Sequence, residues 1–144
     1  MPPKVFIVLA FALLGTFCSV SHTQAAELVG PVWKWVHTIY DDGRKVAPLE
    51  PGRYTVQFLK AGTVKVKADC NVKGGIYSLT ENRLSIEVTH STMAACEEGS
   101  LEDQFVYNLV AGASYVFKGG NLTISLKYDS GRMQFFTERT NDEQ

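Results

Sequence analysis

The chain has 144 residues, of which 45% are hydrophobic and 20% charged, and its formal net charge is −1. The apolar fraction suffices for a packed core, which excludes a disordered or fibrous protein. A net charge near zero argues against a dedicated nucleic-acid binder, because such a protein needs a basic excess. The length fits one domain.

The first 25 residues are typical of a secretion signal. Lys4 supplies a positive charge, and an uninterrupted apolar stretch covers residues 5–14. Thr23 and Ala25 place small residues where a signal peptidase needs them, with cleavage after Ala26 as the alternative. An N-terminal membrane anchor is a second interpretation, but the stretch is short for a span. We therefore predict an exported protein, periplasmic or secreted, that is soluble after cleavage and has no membrane span.

Export decides how the three cysteines are interpreted. Cys18 would leave with the signal, and the bulky residue before it does not suit a lipid-anchored N-terminus. Cys70 and Cys96 would remain, and an even number in an oxidising compartment predicts a disulfide. A metal site and a nucleophilic thiol paired with His90 are the alternatives, although that spacing matches no known signature. We predict the disulfide, no metal and no cofactor.

The chain beyond residue 30 alternates apolar and polar residues, which is typical of antiparallel strands with one buried face. Trp33 and Trp35 begin this pattern, and His37 shares their parity and is expected to be a packed or edge residue. The remaining inward positions are predicted at Tyr54, Val56, Phe58, Val64, Val66, Ala68, Cys70, Leu84, Ile86, Val88, Leu122, Ile124, Leu126, Tyr128, Met133 and Phe135. Turns between the strands are predicted at residues 42–43, 61–62, 74–75, 81–82, 119–120 and 130–131.

One segment follows the spacing of a helix instead. Its apolar positions are Leu101, Phe105, Val106, Leu109, Val110 and Ala113. Ser100, with Asp103 three residues later, predicts an N-cap of the capping-box type. The predicted fold is therefore mainly β, a compact antiparallel, barrel-like sheet of about seven or eight strands with one amphipathic helix near residues 101–112.

Two segments resemble a known family. They are Asp69-Cys70-Asn71 with Gly74 and Tyr77, and Thr92-Met93-Ala94-Ala95-Cys96 with the later Glu102, Phe105 and Leu109. Together they resemble the META domain, or HslJ-like, family across residues 30–138, with 1–25 as signal peptide and 139–144 as a flexible tail. Many members have aromatic residues where this chain has Val72-Lys73. The resemblance implies a small exported or lipid-anchored bacterial envelope protein, associated with stress response, for which no catalytic residue is established.

The residues themselves carry no signature of a known enzyme class, so we expect a non-catalytic binding module. Polar residues such as Lys65, Lys67 and Asp69 fall on outward positions of the predicted strands. The candidate interaction surface is the face with the two lysines, or else the turn at residues 71–75. A merely solvated strand face is the other interpretation. A small secreted inhibitor of a hydrolase, presenting the hairpin at residues 40–46, is the alternative function, and a thiol enzyme is a third. We expect a monomer whose partner is an envelope or extracellular protein or a small ligand, and not nucleic acid.

Overall fold

The computed structural model of the protein describes residues 27–138, so the predicted signal segment and the tail from residue 139 lie outside the described residues. Within this range the chain forms nine strands and one complete α-helix. The strands are β1 (Val32–Tyr40), β2 (Lys45–Val46), β3 (Tyr54–Phe58), β4 (Thr63–Ala68), β5 (Asn71–Thr80), β6 (Arg83–Ser91), β7 (Gly112–Lys118), β8 (Asn121–Leu126) and β9 (Gly131–Phe136). The helix α1 spans Glu102–Val110, and short 3-10 turns occupy Pro51–Arg53 and Lys127–Asp129.

The strands form a ring in which all pairings between them are antiparallel. From β3 onward each strand pairs with the next, and β1 closes the ring by pairing with both β3 and β9, while the short β2 adds to β1. The weakest junction is between β6 and β7, which share a single register pair, Arg83 opposite Ser114. The helix α1 lies between these two strands in the chain. This architecture confirms the mainly β prediction with one helix.

The inward positions of the ring carry aliphatic and aromatic side chains, as the alternation predicts. Trp33 and Trp35 are both fully buried. The helix contributes Phe105, whose ring centroid lies 5.1 Å from that of Trp35 and 5.5 Å from that of Tyr54. Pairs of aromatic rings at these separations stabilise a fold by more than the burial of their apolar area alone. The packing of Phe105 therefore ties α1 to β1 and β3.

A bulge in β1 places His37 on the opposite face from Trp33 and Trp35, so only its predicted parity with them is wrong. The register against β9 shifts between Trp35 and His37, so the alternation changes face at this point. Thr38 faces inward instead, is fully buried, and accepts a hydrogen bond from Trp35 Nε1 at 3.1 Å. His37 lies opposite the half-buried Gln134 on the other side of the sheet.

The predicted turn at Gly74-Gly75 is also wrong, because β5 continues through both glycines. The reversal occurs earlier, at Asp69-Cys70, so Cys70 is exposed and does not continue the inward face of β4. The glycines serve a β-bulge against β6 instead. A Cβ atom at Gly75 would overlap the backbone carbonyl oxygen of Glu87 on that strand. Glycine is therefore required at these positions because β5 and β6 approach closely there, and not because the chain turns.

Two details of the later chain also differ from the prediction. β8 ends at Leu126, so Tyr128 is not an inward strand residue but lies exposed in the following turn. At the start of α1, Ser100 Oγ accepts a hydrogen bond from the Glu102 N–H at 3.3 Å, and no capping box with Asp103 forms.

Candidate functional site

The side chain of Asn71 is the centre of a polar cluster at the start of β5. Asn71 begins β5 and is buried, and its carboxamide faces the segment before α1, which we call the 92–101 loop. Its Oδ1 accepts hydrogen bonds from Thr92 Oγ1 and from the Ala94 N–H, both at 2.8 Å. Its Nδ2 donates to the Ala94 carbonyl at 2.9 Å and to Glu102 Oε2 at 2.8 Å. One side chain thus fixes both the loop and the first residue of the helix.

The disulfide predicted from the sequence lies beside this cluster. Cys70 and Cys96 have their sulfur atoms at bonding distance and their Cα atoms 5.5 Å apart, joining the β4–β5 turn to the 92–101 loop. Glu102 Oε2 lies 3.1 Å from Cys96 Sγ, so two sulfurs and a carboxylate meet at one point. A cysteine binds a metal ion through its thiolate. Because both sulfurs are bonded to each other, this donor group does not coordinate a metal while the disulfide is intact.

Lys73 and Glu102 form an ion pair that completes the cluster, which we call the Asn71 cluster (Asn71, Lys73, Thr92, Ala94 and Glu102). Lys73 Nζ lies 2.7 Å from Glu102 Oε1, and the two side chains are only 13% and 16% exposed. Burial by itself would raise the pKa of Glu102. Hydrogen bonds from Lys73 and Asn71, together with the charge of Lys73, outweigh that effect and hold the pKa below its ordinary value of 4.5. The carboxylate is therefore charged at neutral pH.

Asp69 is buried, which corrects the expectation that it lies on an outward strand position. It has a left-handed backbone conformation with φ of 57° in the turn after β4, and this places its side chain against Arg53, with which it forms an ion pair. A cavity of about 360 Å³ lies next to this pair, between the segment at residues 47–53 and the 92–101 loop. Glu97 and Glu98 line its other side.

The remaining residues of the sequence motif do not join the Asn71 cluster. The Tyr77 hydroxyl donates a hydrogen bond to the Leu59 carbonyl at 2.8 Å, and the Met93 side chain is exposed. Gly74 lies under the imidazole of His90, which faces away from the ring interior, so the structure does not assemble the alternative dyad of His90 with a cysteine thiol. The motif is thus largely architectural. It joins the turn after β4 to the entrance of α1.

Lys65 and Lys67 both project from the outward face of β4, as predicted. They lie opposite Gln57 and Thr55 of β3, and together with Val32 and Val72 these residues border a shallow depression of about 180 Å³. Neither lysine forms an ion pair with any residue in the range 27–138. We call this surface the lysine face.

Sequence reasoning missed one residue of the Asn71 cluster, Lys73, and one buried polar residue elsewhere on α1, Asn108. A lysine in a strand usually lies in solvent, yet Lys73 faces inward. The available signal was its parity: Lys73 stands two residues after Asn71 and so shares its side of the strand. Asn108 was passed over on α1, although its position three residues after Phe105 places it on the buried helix face.

Comparison with known proteins agrees with this architecture. A model of the META domain family matches residues 26–140 of the chain, in line with the resemblance that the two cysteine segments indicated. None of the curated proteins compared with the chain matches its sequence.

Solved structures with the same fold share little sequence with this chain. An NMR structure of a protein from Burkholderia xenovorans has a TM-score of 0.64 at 19% identity, covering 80% of this chain and 88% of that one. The crystal structure of a DUF4847 family protein from Bacteroides vulgatus has a TM-score of 0.58 at 12% identity, covering 79% and 96%. At these identities the likeness concerns the fold alone. Across residues 27–138, none of the helical structure has the length and hydrophobicity that a membrane-spanning helix requires.

Proposed function

This chain belongs to the META domain family, and on that premise we propose that it is an exported, non-catalytic binding module of the bacterial envelope that acts in a stress response. The lysine face carries its interaction with an anionic envelope protein. The observation behind this assignment is a pair of exposed, unneutralised lysines on a strand face that also exposes Val32 and Val72. A surface that mixes apolar area with one sign of charge suits a protein partner.

Export is supported by the N-terminal pattern and by the pairing of Cys70 with Cys96, because disulfides persist in oxidising compartments. The test is the intact mass of protein recovered from the envelope. We expect a mass that lacks the first 25 or 26 residues. Recovery at full-length mass would contradict export with processing.

The non-catalytic assignment is supported by the roles of the buried charged groups. Asp69 is paired with Arg53, and Glu102 is held by Lys73 and Asn71, so these groups already have structural partners. A general acid or base has to be able to exchange its proton with a substrate. A conservative change at Asp69 that abolished a measurable turnover without unfolding the protein would contradict the proposal.

Partner binding is tested by reversing charge on the lysine face. The double variant Lys65→Glu/Lys67→Glu should lose the captured anionic protein in a pull-down from the envelope fraction, and wild-type capture should weaken as salt rises. Lys60→Glu/Lys118→Glu is the matched control, since both of these lysines are exposed and neither borders the depression of the lysine face. Equal capture by both double variants would refute the lysine face as the binding surface.

The inhibitor alternative makes a different prediction for the same pull-down. An inhibitor should bring down a hydrolase in stoichiometric amount, and changes in the hairpin at residues 40–46 should release it. In the structure this hairpin is held internally: Arg44 lies over the Tyr40 ring at 4.4 Å, and its N–H donates to Asp42 Oδ1 at 2.9 Å. A hydrolase captured through the hairpin would replace the binding-module proposal.

A further inference from the structure

A cleft of about 440 Å³ opens on a part of the surface that neither the Asn71 cluster nor the lysine face includes. It lies between the second half of α1, the β1–β2 hairpin and the turn after β8. We call it the tyrosine cleft, because its lining includes Tyr40, Tyr107 and Tyr128, together with Asn108. Its volume is within the range of small-molecule sites.

The deep part of the tyrosine cleft carries a hydrogen-bond donor and an acceptor without partners. Asn108 is only 1% exposed, and its Nδ2 donates to the Tyr40 hydroxyl at 2.8 Å, yet no donor in the range 27–138 contacts its Oδ1. The Tyr40 oxygen also accepts from Gln104 at 3.0 Å. Both lone pairs of that oxygen are therefore engaged, and its O–H finds no acceptor in the same range. These two groups are therefore available to a ligand in the cleft.

Aromatic rings stand at the mouth of the cleft. Tyr107 is 75% exposed on α1, and Tyr128 is 97% exposed in the turn after β8. Tyr128 has a left-handed backbone with φ of 60°, and the next residue, Asp129, has φ of 53°. Left-handed conformations are unfavourable for a bulky residue, and such strain concentrates at ligand sites. Here the strained turn holds an aromatic ring in solvent.

The charges around the cleft cancel. Asp41 and Asp42 are balanced by Arg44 and Lys127, and Arg44 Nε lies 3.8 Å from Asp42 Oδ2. A charged ligand would therefore gain little from the site, and the ligand class that fits is neutral. It needs hydroxyl groups that both donate and accept, and apolar faces that pack on aromatic rings.

We propose that the tyrosine cleft binds a neutral saccharide. A sugar hydroxyl donates to Asn108 Oδ1, a neighbouring oxygen accepts from the Tyr40 hydroxyl, and the C–H faces of the sugar rings pack on Tyr107 and Tyr128. This site is separate from the lysine face, so either assignment can fail without the other.

Calorimetric titration of the exported protein with neutral oligosaccharides tests the proposal. The probes are the tetrasaccharides of β-linked glucose, α-linked glucose, β-linked mannose and β-linked N-acetylglucosamine. We expect at least one to bind with a dissociation constant of about 1 mM or below, and Tyr107→Ala and Tyr128→Ala each to weaken it about tenfold. Ile76→Ala is the control, since that side chain is 51% exposed and lies outside the cleft. It should leave the affinity unchanged.

Tyr128→Gly separates a ligand-binding role from a merely structural one. Glycine adopts a positive φ without strain, so the variant should melt about 2–5 °C higher than wild type while it binds the saccharide about tenfold more weakly. If Tyr128 had only a structural role, the higher melting temperature would not be accompanied by weaker saccharide binding. The proposal is overturned if no probe binds at concentrations up to about 10 mM. It is equally overturned if a probe binds and both tyrosine-to-alanine variants retain wild-type affinity.

Discussion

Replacing Asn71 by alanine tests whether its side chain, and not the disulfide alone, holds the 92–101 loop in place. The alanine keeps the strand and the Cys70–Cys96 bridge but removes every contact of the carboxamide. The variant loses the hydrogen bonds of the Asn71 side chain to Thr92 and Ala94, and also its bond to the Glu102 carboxylate. The perturbation is therefore confined to the polar cluster.

The expected magnitude follows from how well water can replace each partner. Thr92 and Ala94 are exposed residues whose polar groups can be hydrated after the truncation, so each of their hydrogen bonds contributes about 0.5–1 kcal/mol. The bond to the largely buried, charged Glu102 contributes about 1.5–3 kcal/mol. Allowing for relaxation, Asn71→Ala should lower the free energy of unfolding by about 2–4 kcal/mol. For a domain of this size, that lowers the melting temperature by about 8–16 °C.

The measurement is urea and thermal unfolding of the oxidised protein at neutral pH, followed by circular dichroism. Asn121→Ala provides the matched control, because Asn121 is an exposed asparagine that also begins a strand. The control should stay within about 0.5 kcal/mol of wild type. A loss of less than about 1 kcal/mol in Asn71→Ala would show that the disulfide alone holds the loop, and the energetic argument would be refuted.

Three further changes probe the same framework. Replacing Cys70 and Cys96 together by alanine should cost about 3.5 kcal/mol in the chain-entropy model for a separation of 26 residues, with the β-type circular dichroism spectrum retained. The pKa of Glu102 is lowered by folding, so its contribution to stability is complete above its ordinary value of 4.5 and is lost as the pH falls through the lower folded value. Glu102→Gln should therefore lower stability at pH 7 and flatten the acid side of the stability profile. Gly75→Ala should destabilise by about 3 kcal/mol or more, because its Cβ would overlap backbone of β6, while Gly52→Ala, with open space around it, should not.

Each of these has a result that would contradict it. Native protein that reacts with two equivalents of a thiol reagent, without denaturant, would exclude the disulfide. An unchanged slope of stability against pH in Glu102→Gln would show that this carboxylate is not linked to folding. Equal stabilities of the Gly75 and Gly52 variants would mean that β5 and β6 separate easily at the bulge.

The alternation of apolar residues was sufficient to predict the strands and their inward faces. Trp33, Trp35 and Tyr54 are buried as expected, and the helical spacing identified α1 through Phe105 and Leu109. Such patterns are local, since neighbouring positions of one strand or helix decide them. The two cysteine segments also indicated the family and the disulfide without any knowledge of the fold.

The polar sites depended on register, which local patterns do not contain. The bulge in β1 exchanged the faces of His37 and Thr38, and a left-handed residue at Asp69 moved the reversal away from the glycine pair. The contact between Asn71 and Glu102 joins residues 31 positions apart, and those that form the tyrosine cleft come from three separated segments. A shift of one residue turns a side chain to the opposite face of a strand, so only the folded ring decides which polar groups meet.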